Sequence, residues 1–110
     1  MQYMLLIYSN ENGDPPEEDV IQRYGAFTKE VTDNGKLVTA DRLQPIAAAT
    51  TVRIRNGETL VTDGPFAETK EQLGGYYVLE CDNIDEALTY AAKIPAAEHG
   101  SVEVRPVWAM

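Results

Sequence analysis

Residues 2–8, QYMLLIY, carry apolar side chains at both even and odd positions. Successive side chains of an extended segment point to opposite faces, so this stretch predicts an inner strand covered on two sides. Both faces of that strand therefore need a cover.

The downstream pattern supplies one of them. Pro15 and Pro16 suit the approach to a helix, and Glu17, Glu18 and Asp19 place negative charge at the positive end of its dipole. From about 17 to 34, Val20, Tyr24, Phe27 and Val31 recur at helical spacing, and Asn34-Gly35 is a stop signal. KLVTA at 36–40 reads as a strand, and DRLQPIAAA as an irregular connection containing Pro45. TTVRIR and ETLVT flank Asn56-Gly57, the preferred type I′ turn, which predicts a hairpin with Arg55 opposite Glu58 and Val52 opposite Val61. GYYVLEC at 75–81 is a further strand. Asn83 and Glu86 resemble a capping box, Ile84, Ala87, Leu88 and Ala91 form the stripe of a second helix, and Pro95 ends it. In SVEVRPVW, Val102, Val104, Pro106 and Trp108 fall on one face and Glu103 and Arg105 on the other.

Two strand–helix–strand halves with an extra hairpin predict an α+β ferredoxin-like sandwich, with helices on one face of an antiparallel sheet. Only two helices are available, so the cheapest cover for the other face is the same sheet of a second copy, and a homodimer is expected.

Bulk composition narrows the function classes. With 44% hydrophobic and 25% charged residues the chain reads as one globular domain, 1–110. A formal charge of −9, from 18 acidic and 9 basic residues without a basic run, argues against direct binding of nucleic acid or anionic membranes. One cysteine, Cys81, excludes an internal disulfide, and one histidine, His99, leaves too few ligands for a Cys/His zinc cluster. The opening apolar run is too short to span a bilayer and lacks a cationic start, so a cytoplasmic location is expected, with no membrane partner, cofactor or metal.

The segment 61–80, VTDGPFAETKEQLGGYYVLE, holds the chemistry. Asp63-Gly64-Pro65 is strong turn chemistry, and residues from Pro65 to Leu73 could form one or two helical turns with Phe66 and Leu73 packed inward. A connector explains the proline, the phenylalanine and the glycine pair; it leaves Asp63, Glu68, Lys70 and Glu71 as more polar groups than a connection needs. On the functional reading Asp63 is a general base or hydrogen-bond acceptor, and Lys70, with Glu68 beside it, holds a polar or anionic ligand. Arg105 could clasp Asp63 or a ligand carboxylate, its alternative being a pairing with Glu103. Tyr24 belongs to the core stripe with a hydroxyl able to reach a cleft edge. Asp41-Arg42 lines the same cleft or forms a surface pair, and oxygen ligation of magnesium or calcium by Asp63, Glu68 and Glu71 matches no EF-hand spacing. His99 is a solvated loop residue or an acid/base group, and Cys81 reads as a buried small hydrophobe.

The run TDGPFAETKEQLGGYY at 62–77 resembles the signature of the DGPF-domain group within the YCII-related family. YMLLIY, AFTKEV, LVTADRLQP, DEAL and SVEVRPV are also similar to that family, so the resemblance covers nearly the whole chain. It implies a dimeric α+β barrel in which two ferredoxin-like subunits pack sheet against sheet and leave clefts near the interface. A histidine–aspartate pair proposed for the wider family does not carry over, because Tyr24 stands at the position of its first-helix histidine. The expected function is binding of a small polar or anionic metabolite, open as to catalysis, in a cleft edged by TDGPFAETKE. The alternative, from the group's association with extracytoplasmic-function sigma factors, is a non-catalytic interaction protein with a sigma factor as partner.

Overall fold

The computed structural model of the chain describes residues 1–13 and 18–109. The readings placed on Pro15, Pro16 and Glu17 lie outside the described residues. Among the described residues six strands and three helices follow in the order β1 (Gln2–Ser9), α1 (Glu18–Asp33), β2 (Leu37–Arg42), β3 (Thr50–Arg55), β4 (Glu58–Asp63), β5 (Gln72–Glu80), α2 (Ile84–Ala91), α3 (Ala96–His99) and β6 (Ser101–Pro106), with a short 3-10 turn at Ile46–Ala48.

Four strands form an antiparallel sheet in the order β2-β5-β1-β6, the ferredoxin-like arrangement, while β3 and β4 form a separate two-stranded ribbon. β1 is the inner strand that its two-sided pattern requires. Tyr3, Leu5 and Ile7 register with Leu79, Tyr77 and Gly75 on one side and with Pro106, Val104 and Val102 on the other. This row meets Phe27, Val31, Ala87, Ala91 and Ile94 from the helical layer in one core. Phe27 stands edge-on to Tyr77 with ring centroids 5.0 Å apart, and the Thr28 and Tyr77 hydroxyls are 2.7 Å apart, so the tyrosine's polar end is partnered.

The helices begin and end as their sequences dictate. Asn83 Oδ1 accepts from Glu86 N at 3.0 Å, and the Glu86 carboxylate accepts from Asp82 N, one residue before the position of a standard capping box. Lys36 N donates to Val31 O and Gly35 N to Thr32 O, with Gly35 at φ 70, closing α1. In α2 only the Ala87 and Ala91 positions of the expected stripe are buried; Ile84 and Leu88 are exposed. The buried face of the two-turn helix is alanine, and Ile94, fully buried just after it, joins the same core. Trp108 departs from its expected row: β6 ends at Pro106 and the indole is 89% exposed.

The ribbon follows its register. Val52 pairs with Val61 and Arg55 with Glu58, and both turn residues take positive φ, 52 at Asn56 and 77 at Gly57, as a type I′ turn requires. By contrast, Pro65–Leu73 forms no helix: the chain runs through bends until β5 starts at Gln72, and Phe66 is 77% exposed. Thr69 and Gln72 side chains take the hydrogen bonds that a helical turn would have used.

Two measurements check this account. Leu79, fully buried, loses about 2–5 kcal/mol of stability on Leu79→Ala, whereas exposed Ile84→Ala stays within about 1 kcal/mol, read by urea denaturation. The half-buried Lys36–Glu86 pair, 2.9 Å apart, sits beside Cys81, whose thiol is pushed up mainly by burial. Lys36 holds the Glu86 carboxyl below its ordinary 4.5, and Glu86 raises Lys36 above 10.5. The carboxylate's share of stability is present above 4.5 and lost as pH falls through the lower folded value. The ammonium's share is present below 10.5 and lost as pH rises through the higher one. The stability gap between the wild type and Lys36→Met is therefore flat from pH 6 to 9 and closes in acid.

Candidate functional site

Antiparallel connection brings four chain segments to one end of the sheet. β1 finishes at Ser9, β5 starts at Gln72, β6 starts at Ser101 and β2 finishes at Arg42, with Ser9 opposite Gln72 and Tyr8 opposite Ser101. The signature loop 64–71, the turn after β1, the connection after β2 and the α3–β6 junction therefore gather there.

Gln72 holds this end together. It is the buried polar residue of the described chain, 8% exposed, and both ends of its amide are used. Its Oε1 accepts from Glu11 N at 2.9 Å, and its Nε2 donates to Thr69 O at 2.5 Å. Glu11 in turn accepts from Ile46 N with both carboxylate oxygens, at 3.0 and 3.2 Å. One side chain thus links the signature loop to the turn after β1, and through Glu11 to the 3-10 turn. On the same end Ser101 Oγ donates to Glu71 Oε1 at 2.8 Å, and Tyr76 Oη donates to Asp41 Oδ2 at 2.9 Å, which raises the tyrosine's pKa.

The residues singled out by sequence divide between this end and other places. Asp63 closes β4 opposite Thr50 and is exposed; Glu68 and Lys70 lie exposed in the loop that follows. Arg105 is on the sheet face away from the helices, opposite Met4 and four residues along β6 from Ser101, about 13 Å down the strand. It makes no ion pair with Asp63 or Glu103 among the described residues. Tyr24 is half-buried in the helical layer; burial raises its pKa most, and the nearby Arg42 and Arg23 charges oppose that. Asp41 and Arg42 make no ion pair: Asp41 registers with Tyr76 and Arg42 with Gly75, on opposite faces of β2. His99 is exposed as the last residue of α3, and Cys81 is buried as expected. No group of three or more His, Cys, Asp or Glu is placed to hold a metal ion among the described residues.

The cations of the described residues are unevenly committed. Arg23, Lys29, Lys36 and Lys93 pair with Glu98, Asp33, Glu86 and Glu30. Arg42 and Lys70 are in no ion pair among the described residues, while the nearby acids Glu11, Glu71 and Asp41 already accept hydrogen bonds. Hollows lie elsewhere: an open groove of about 190 Å³ between α1 and the α2 end, lined by Arg23, Phe27, Glu30 and Lys93, and one of about 360 Å³ beyond the other end of the sheet, lined by Gln2, Glu80, Val107 and Trp108. The groove's cations are neutralised by their pairs, so its shape is not matched by ligand chemistry.

A model of the YCII-related domain matches residues 1–110. The chain belongs to the YCII-related family. An uncharacterised protein of Rhizobium meliloti (strain 1021) is 42% identical to this YCII-related chain over 114 residues, spanning 97% of this chain and 92% of the relative. Membership agrees with the four-stranded antiparallel sheet, the helices and the extra hairpin. No described helix is long and apolar enough to cross a membrane.

Sequence reasoning found the loop but missed its anchor. Gln72 lies inside the 62–77 run without being singled out there, and Glu11 carries no local motif; the signal for Gln72 was a polar residue standing where β5 enters the core. The motif's second glycine has a packing reason, since a Cβ on Gly75 would lie 2.9 Å from Asp41 O. Gly75→Ala costs about 1–3 kcal/mol in denaturant titration by pushing β2 away. Gln72→Leu leaves Glu11 N and Thr69 O without their partners; amide exchange at Glu11 accelerates while exchange in the β1 core is unchanged.

Proposed function

We propose that this YCII-related protein binds a small polar or anionic metabolite at the loop end of the sheet, with the signature loop forming one wall. The observation that carries the reading is the Gln72 anchor: a buried amide holding three separate connections in one arrangement does more than a linker between strands needs. Preorganised loops on a rigid sheet are the usual support of a binding site. Arg42 and Lys70 supply cationic groups not consumed by neighbouring acids, which favours an anionic ligand in a chain whose net charge is −9. Asp63, at the foot of the loop, is the acceptor or base of this site, and Glu68, exposed in the same loop, is a further ligand group.

The protein acts as a homodimer formed through the sheet face that the helices leave bare. By register Met4, Leu6 and Tyr76, each half-buried, form an apolar centre there around Val78, which is already buried within the chain, bordered by Asp41, Glu103 and Arg105. Arg105 then belongs to the subunit interface rather than to the signature loop of its own chain.

A thermal-shift screen against a metabolite library, repeated with Asp63→Ala, tests the site. A ligand at a hundred times its dissociation constant stabilises the fold by about 2.7 kcal/mol, and the mutant loses that shift while keeping its own melting transition. A stabilising ligand indifferent to both Asp63→Ala and Lys70→Ala removes the signature loop from the site. Stabilisation by a purified sigma factor, with none by metabolites, replaces this reading with that of an interaction protein.

A further inference from the structure

The β3–β4 ribbon has no cover within its own chain. Register places Val52, Ile54 and Val61 on one face with Thr50, Thr59 and Asp63, and these three apolar residues are 60%, 66% and 65% exposed. Its strands pack on each other and on no other strand to a comparable extent. The base is nevertheless fixed. Gly64 N donates to Ala49 O, Thr51 Oγ1 donates to Gly64 O at 2.8 Å, and Arg53 donates to Phe66 O at 3.1 Å. The ribbon is therefore a braced projection with a bare apolar side, and an isolated two-stranded ribbon is at best marginally stable in water.

The dimensions of the chain measure what is missing. A folded monomer of 12.2 kDa exposes about 6,100 Å². This chain exposes 7837 Å², an excess of about 1,800 Å². Its radius of gyration is 15.9 Å, against about 13 Å for a compact domain of this length. The extents of 48 × 40 × 18 Å put the extra reach in the plane of the sheet, since 18 Å is the thickness of one sheet and one helical layer. A standard interface removes about 800 Å² from each partner, and an obligate dimer about 1,000–2,500 Å². The ribbon's Val52, Ile54 and Val61 face lies outside the four-stranded sheet and adds its own exposed apolar area to that excess.

We propose that the β3–β4 ribbon is an intersubunit arm, whose Val52, Ile54 and Val61 face seats on a second copy of this chain. The inference rests on the sheet-to-sheet dimer proposed above and adds the arm as its second contact. Charge favours a second copy over an unlike partner. The arm's apolar face carries one charged residue, Asp63, at its base opposite Thr50, so Val52, Ile54 and Val61 can meet a second chain of charge −9 away from that carboxylate, whereas a basic partner would be drawn to the acidic surfaces instead. Because the signature loop leaves the arm at Asp63, seating the arm also fixes the position of that loop relative to both subunits.

Analytical ultracentrifugation of the wild type, Ile54→Asp and Leu6→Asp separates the arm from the sheet face. The wild type sediments as a dimer, and each substitution raises the dissociation constant tenfold or more while far-ultraviolet circular dichroism stays unchanged. A second reading needs no disruptive change: Cys81 is buried, so an environment-sensitive fluorophore attached to Ile54→Cys labels the arm alone. Its emission shifts to the blue as concentration rises through the dimer transition. A dimer broken by Leu6→Asp but indifferent to Ile54→Asp, with a label that stays solvent-exposed, overturns the arm and leaves the sheet-face dimer standing. A monomer at every concentration overturns both.

Discussion

The constraint behind this structure is the two-sidedness of β1. A central strand with apolar residues in both registers cannot be satisfied by one layer of helices. Tyr3, Leu5 and Ile7 are buried under α1 and α2, whereas Met4, Leu6 and Tyr8 on the reverse remain only half-buried. Fully burying one aliphatic side chain is worth about 1.5–3 kcal/mol, so the uncovered row represents a large unrealised stabilisation for a small domain. The sheet order follows from the same strand, because β1 must have a neighbour on each side, and β5 and β6 supply them.

The loop end depends on that sheet. Gln72 is buried because β5 enters the core beside Ser9, and burial obliges its amide to find partners on both sides. The partners are loop atoms, so one buried polar group ties together segments far apart in the chain. The helical layer follows a different rule: its ion pairs, Arg23–Glu98 and Lys93–Glu30, bridge α1 to the residues around α3, and they occupy the solvent face without addressing any ligand.

Much of the fold was legible in the sequence because local signals agreed with tertiary needs. The Asn56-Gly57 turn fixed the ribbon's register, and the parity of Val102 and Val104 fixed the face of β6. Legibility failed where the deciding partner lay far along the chain. Pro65 and Phe66 satisfy helix-start patterns, yet the backbone there is bent by hydrogen bonds through Thr69 and Gln72, and Phe66 faces water. Arg105 was placed on the correct side of its strand, but its distance from Asp63 depends on strand order, which no local pattern encodes. Glu11, sixty-one residues from Gln72, carried no signal at all.

The ribbon also has unsatisfied backbone edges. Each of its two strands pairs only with the other, so one row of amides and carbonyls on either side is free to template a further strand. Arg53, Arg55 and Glu58 break that row with charge, as edge strands commonly do to discourage stacking between chains. For most proteins dilution protects against aggregation. On the proposed arm, dilution frees the ribbon, and the dissociated chain is then the species with open edges and bare valines, which places solubility and assembly on the same twelve residues of strand.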